Sequence, residues 1–234
     1  MTNQVLLRDL YRQEHTEALA YALLLTQVPS AAAKAVEHAF VREANHPRNP
    51  PIRYFLAADI AAIAPDITSR HGYSPVHSHQ YGTGDSPFAP AQRITTSEMH
   101  LPVAGTELIH APVIAALHDA QKQNSTKEQA LAVLHTWLTE IPENEQISYV
   151  LMHWLLQQRP VLPAAIPSHA ISQTAALTAS TEKRTAALYT TANNNMNRLL
   201  DSRSISFSDM LQAWIGILDI PLSNQVQAAM REAE

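Results

Sequence analysis

There is no cysteine in the 234 residues, so disulfides, thiolate zinc sites, iron–sulfur clusters and cysteine nucleophiles are all excluded. The same absence fits a reducing compartment, and a cytoplasmic location is the expectation. Glycine is scarce, 5 residues against 15 prolines, and aromatic residues make up 6% of the chain. A sheet protein draws on glycine turns and aromatic strands. This mixture favours helices separated by proline-bearing joints, with almost no strand. Long apolar runs are missing too. The stretch from Ala18 to Leu25 falls far short of the ~20 residues of a membrane span, and Arg8 and Asp9 stand where a signal peptide would be apolar. No membrane span is expected. Positive charge is in deficit, with a formal net charge of −5, which argues against coating nucleic acid by bulk electrostatics. Any nucleic-acid contact must be local.

Nucleophile elbows, Walker loops, dinucleotide glycine fingerprints and HExxH are also absent, so neither an enzyme nor a cofactor is expected. The 12 histidines include His71, His77 and His79, whose imidazoles could meet at a metal. No carboxylate lies within a turn of them, and ordering a linker would oppose binding, so a dedicated metal site is not expected. His38, His135 and His153 lie on or beside helix stripes and read as hydrogen-bonded structural residues.

What is present is 46% apolar residues in a chain of 25.8 kDa, enough to bury a core in one large domain or two small ones. Leu7, Leu10, Tyr11, Ala18, Tyr21 and Leu25 have helical spacing, and Ser30 is placed to cap a second helix carrying Ala33, Val36, Phe40, Val41 and Ala44. After a proline-rich joint, Ile52, Phe55, Leu56, Ile60 and Ile63 predict a third helix that ends before Pro65. From about 69 to 108 the period is lost and Gly and Pro collect, which reads as a linker, with helical pattern returning weakly at 112–120. Thr126 opens a helix with its face at Leu131, Leu134, Trp137 and Leu138, and Pro142 begins the next, striped by Ile147, Val150, Leu151 and Trp154. Two helices follow near 169–177 and 181–200, and a last one runs from Phe207 to Leu218. The expected architecture is all-α: helical domains at 1–68 and 126–202, a linker with a short helix at 69–125, and a C-terminal helical extension at 203–234.

The run Leu10-Tyr-Arg-Gln-Glu-His15, the turn Leu25-Thr-Gln-Val28, the helix Ala31-Ala-Ala-Lys-Ala-Val-Glu-His-Ala-Phe-Val-Arg42 and the segment Arg53-Tyr-Phe-Leu56 occur in an order that resembles the second conserved region of extracytoplasmic-function sigma factors. Ile141-Pro-Glu-Asn-Glu145 and Leu177-Thr-Ala-Ser-Thr-Glu-Lys-Arg-Thr-Ala-Ala-Leu188 resemble that family's fourth region, a helix-turn-helix, with Ser180 as the cap of the recognition helix. The resemblance implies a factor that binds core RNA polymerase and directs it to promoter DNA. It implies polymerase contacts at Lys34, Glu37 and Arg42, and DNA contacts at Arg48, Arg53, Tyr54, Lys183, Arg184, Thr185 and Tyr189. An anti-sigma or other regulatory protein is a further implied partner.

The chain departs from the family at informative places. Lys34 and Glu37 stand where the family has Asp and Gln, Ala57 to Ala64 replaces an Arg-rich tail, and Thr185 and Ala187 replace cations of the recognition helix. These departures open an alternative: a sigma-like helical protein–protein interaction module that has lost DNA binding. The helix at 207–218 lies beyond the family's fourth region and carries a full apolar stripe. It is expected to fold back onto the second domain, where the acidic tail could screen Lys183 and Arg184, or to form an interface.

Overall fold

A computed structural model of the chain describes residues 3–48, 52–70, 105–120, 126–156, 167–218, 220 and 224–231. These residues form ten helices and no strand: α1 (Asn3–Thr26), α2 (Pro29–Asn45), α3 (Ile52–Arg70), α4 (Gly105–Ala120), α5 (Thr126–Glu140), α6 (Glu143–Leu155), α7 (Ser168–Leu177), α8 (Glu182–Asp201), α9 (Phe207–Leu218) and α10 (Asn224–Arg231). The expected all-α class is what the chain adopts. His71, His77 and His79 lie outside the described residues.

α1, α2 and α3 pack against one another in all three pairings. Their periodic stripes meet in a core that includes Leu10, Tyr21, Val36, Phe40, Leu56 and Ile60, with Phe40 fully buried and the Tyr11 ring edge-on to it at 6.4 Å. α2 starts two residues earlier than the Ser30 cap requires. Pro29 takes the first helical position, Val28 is the N-cap in extended conformation, and no side chain caps the helix, so Ser30 lies inside the first turn. α3 does not stop before Pro65 but continues to Arg70. A proline removes one ladder hydrogen bond and crowds one carbonyl, and here the helix continues past that local cost. Pro112 is likewise inside α4, which begins at Gly105 rather than near 112.

With few glycines, the chain turns its corners on other residues. Gln27, Ala179 and Ser204 hold positive φ just past the ends of α1, α7 and α8. After α7 the Ser180 N–H donates to the Ala175 carbonyl and the Ala179 N–H to the Ala176 carbonyl, the paired bonds of a Schellman ending. α8 then opens with Thr181 as its cap, one residue beyond the expected Ser180; the Thr181 hydroxyl accepts from the Arg184 N–H at 3.2 Å. The Gln146 side chain reaches back from α6 and donates to the Trp137 and Ile141 carbonyls, covering the end of α5.

α9 has the expected bounds and is core. Its Phe207 and Trp214 rings both meet Trp137 edge-on at 6.0 Å, and Phe207 also meets Tyr149 at 4.9 Å. It packs in cis on α5, α4 and α1, while Lys183 and Arg184 remain exposed. The C-terminal extension also contains α10, a second, short helix that packs on α1. Segments 1–68 and 126–202 share one apolar core through α1 and α6, where the Tyr21 and Trp154 rings are 6.3 Å apart.

Candidate functional site

Four carboxylates are buried among the described residues, Glu14 and Glu17 on α1, Glu43 on α2 and Asp59 on α3, and three of them, Glu14, Glu43 and Asp59, face arginines. A buried carboxylate needs a cation or several donors, and the expected DNA-binding residues supply them for these three. The Arg48 guanidinium donates to Glu43 Oε2 at 2.7 Å from Nε and to Asp59 from Nη2, and its carbon lies 4.5 Å from the Phe55 ring centroid. The Arg48 backbone N–H donates to the other Glu43 oxygen at 2.6 Å. Partial burial opposes the Arg48 charge, but the hydrogen bonds to Asp59 and Glu43 outweigh it and raise its pKa. Arg42 reaches Asp59 Oδ1 at 3.0 Å from a side chain that is 60% exposed.

Arg53 turns the other way. Its Nε donates to Glu14 Oε2 at 2.7 Å, and the same oxygen accepts from Trp154 Nε1 at 2.8 Å, which ties α3, α1 and α6 together. Burial, reinforced by the nearby Arg53 charge, pushes the His153 pKa down to about 4. Tyr54 is half-buried against the core, with its ring 5.8 Å from Phe55.

In the second half, Lys183 and Arg184 are exposed in the first turn of α8. Thr185 and Tyr189, one turn apart on the other face, are buried, and Tyr189 stacks on Tyr149 at 5.9 Å. Lys34 is exposed and Glu37 half-buried on α2, and these two, unlike the DNA set, lie together at a concave feature. It is a cavity of about 350 Å³ lined by Tyr11, His15 and Leu19 of α1, by Pro29, Ser30, Ala33, Lys34, Val36, Glu37 and Phe40 of α2, and by Leu218, Ile220 and Val226 from the C-terminal extension.

Sequence reasoning missed the acidic partners and the C-terminal wall of the cavity. A signal for the former existed: Glu14 falls four residues from both Leu10 and Ala18, and Glu43 three from Phe40, so each carboxylate lay on a core stripe. No family model matches the chain, and no curated protein or solved structure does.

Proposed function

We propose that the chain is a sigma-like helical module that holds a partner protein through the outer face of α2 and does not itself read a promoter. The carrying observation is what occupies the cations expected on DNA. Arg48 is committed to Glu43 and Asp59, and Arg53 to Glu14, while Thr185 and Tyr189 are core residues. Within that expected set, Lys183 and Arg184 are the exposed cations. Phosphate binding strengthens with each cation that displaces counterions, so such a set supports weak DNA affinity. Core RNA polymerase is the partner that the sequence resemblance supplies, and the exposed Lys34 and Arg42, with Glu37 beside them, are the contact residues.

A promoter-directing sigma factor is the second reading, favoured by α7 and α8, two helices joined by a tight turn with Lys183 and Arg184 at the start of the second. Two measurements on the full chain separate the readings. Gel filtration with purified core RNA polymerase should give a complex that the charge swap Lys34→Glu with Glu37→Lys weakens. A mobility-shift titration with double-stranded DNA should show weak binding with no sequence preference. Sequence-specific binding with a steep salt slope, lost in the Lys183→Ala, Arg184→Ala variant, would move the conclusion to the sigma reading.

A further inference from the structure

The cavity between α1, α2 and the C-terminal extension has chemistry that docking on the α2 face does not use. Its deeper wall is apolar, with Leu19, Val36 and Phe40 on one side and Leu218 and Ile220 on the other. Its volume of about 350 Å³ falls within the ~300–1,000 Å³ typical of small-molecule sites. The feature opens to the surface beside the exposed Lys34, and an apolar group seated against Leu19, Val36 and Phe40 would gain dispersion contacts there and leave water. We propose that this cavity binds an uncharged small molecule with an apolar body and one hydrogen-bonding end, of the class of a medium-chain alcohol.

The polar lining sets the charge of the ligand. Burial pushes the His15 pKa down to about 4 and the Tyr11 hydroxyl up to about 12, so at neutral pH both are neutral, and their rings stand 4.1 Å apart. A neutral imidazole offers one donor and one acceptor and no charge. Lys34 and Glu37 carry opposite signs at the cavity and give it no net attraction for an ion. A carboxylate or ammonium head would lose its hydration there without a dedicated counter-charge. Lys34 and Glu37 belong both to this cavity and to the α2 contact proposed above, so ligand binding is read on the free chain, where no partner covers them.

N-phenyl-1-naphthylamine, an uncharged dye that brightens in apolar surroundings, is the probe. The full-length protein should bind it saturably, and 1-decanol should displace it at least about tenfold more effectively than decanoate or decylamine at neutral pH. Ala33→Phe places a ring in the cavity from α2 and should weaken dye binding about tenfold or more while the helical circular dichroism is kept. Leu218→Phe does the same from the opposite wall should Ala33→Phe not fold. Absence of saturable binding, unchanged affinity in a folded filled variant, or displacement by decanoate as effective as by decanol would each overturn the proposal.

Discussion

Arg48 bridges two buried carboxylates: Glu43, which it meets through both backbone and side chain, and Asp59, which it shares with Arg42. The Glu43 side chain has no exposure and that of Asp59 has 7%, while the Arg42 side chain is 60% exposed. Removing one member of a buried ion pair strands the other at a cost of ~3–5 kcal/mol, whereas an exposed pair contributes ~0–1 kcal/mol. Arg48→Met should therefore destabilise far more than Arg42→Met, which leaves Arg48 on Asp59. Urea unfolding of both variants measures this; small, equal losses would mean that water reaches Glu43. Single residues also set the acid limit. His15 and His153 titrate at about 4 in the folded protein because burial disfavours their charge, against about 6.5 in an unfolded chain. Above pH ~6.5 both states hold them neutral, and nothing is lost. As pH falls from there toward 4, the unfolded chain takes up protons that the folded one refuses, so stability falls, by on the order of 3 kcal/mol for each histidine. The double variant His15→Gln, His153→Gln should show a shallower loss than the parent between pH 7 and 4 in the same urea series. At this scale the sequence shows which positions are buried, since a stripe follows from period alone. It does not show which arginine crosses to which carboxylate, because Arg53 and Glu14 are 39 residues apart.

At the scale of elements, the helical stripes were legible to within a few residues. α9 agreed at both ends, and Ser206 and Asp209 close it with reciprocal bonds, Asp209 N–H to the Ser206 hydroxyl and Ser206 N–H to the Asp209 carboxylate, both 3.1 Å. Proline misled: Pro65 and Pro112 are breakers by composition but lie inside α3 and α4. α10, only eight residues long, is too short for its period to stand out. The corner between α7 and α8 permits a direct test, because Ala179 sits at φ 46°, where an L side chain is strained and glycine is not. Ala179→Gly should raise stability by about 0.5–1 kcal/mol, after allowing for the greater freedom of glycine in the unfolded chain. A lower melting temperature would show that the methyl group contributes more by packing than its backbone costs. α9 permits a coarser test. Deleting 204–234 takes Phe207, Met210, Leu211 and Trp214 from the core and uncovers Trp137. Loss of a single large core side chain costs ~3–5 kcal/mol, so the truncated chain should lose its cooperative melt. A truncation that still melts cooperatively would make α9 an appendage.

For the whole molecule, the question is whether 1–68 and 126–202 fold as two units or one. Local periodicity could not answer it, since the stripe on α1 shows that a face is buried and says nothing of what buries it. In the folded chain α1 is covered by α2 and α3 on one side and by α6, α9 and α10 on others. Tyr21 and Trp154 are almost wholly buried at the α1–α6 contact, and Glu14 accepts from Trp154 there while also holding Arg53. Severing that contact would uncover aromatic surface on both halves and leave Glu14 with a single partner, so neither half keeps the stability it has in the whole. Calorimetry of the full chain should accordingly give one transition, with calorimetric and van't Hoff enthalpies equal. A protease site engineered within 71–104 adds a second reading of the same prediction. After cleavage the two pieces should stay together through gel filtration and melt as one, with Glu14→Ala, which breaks the three-way tie, promoting their separation. Two resolved transitions, or pieces that part and each melt at the parent temperature, would establish two independent domains that only lie side by side.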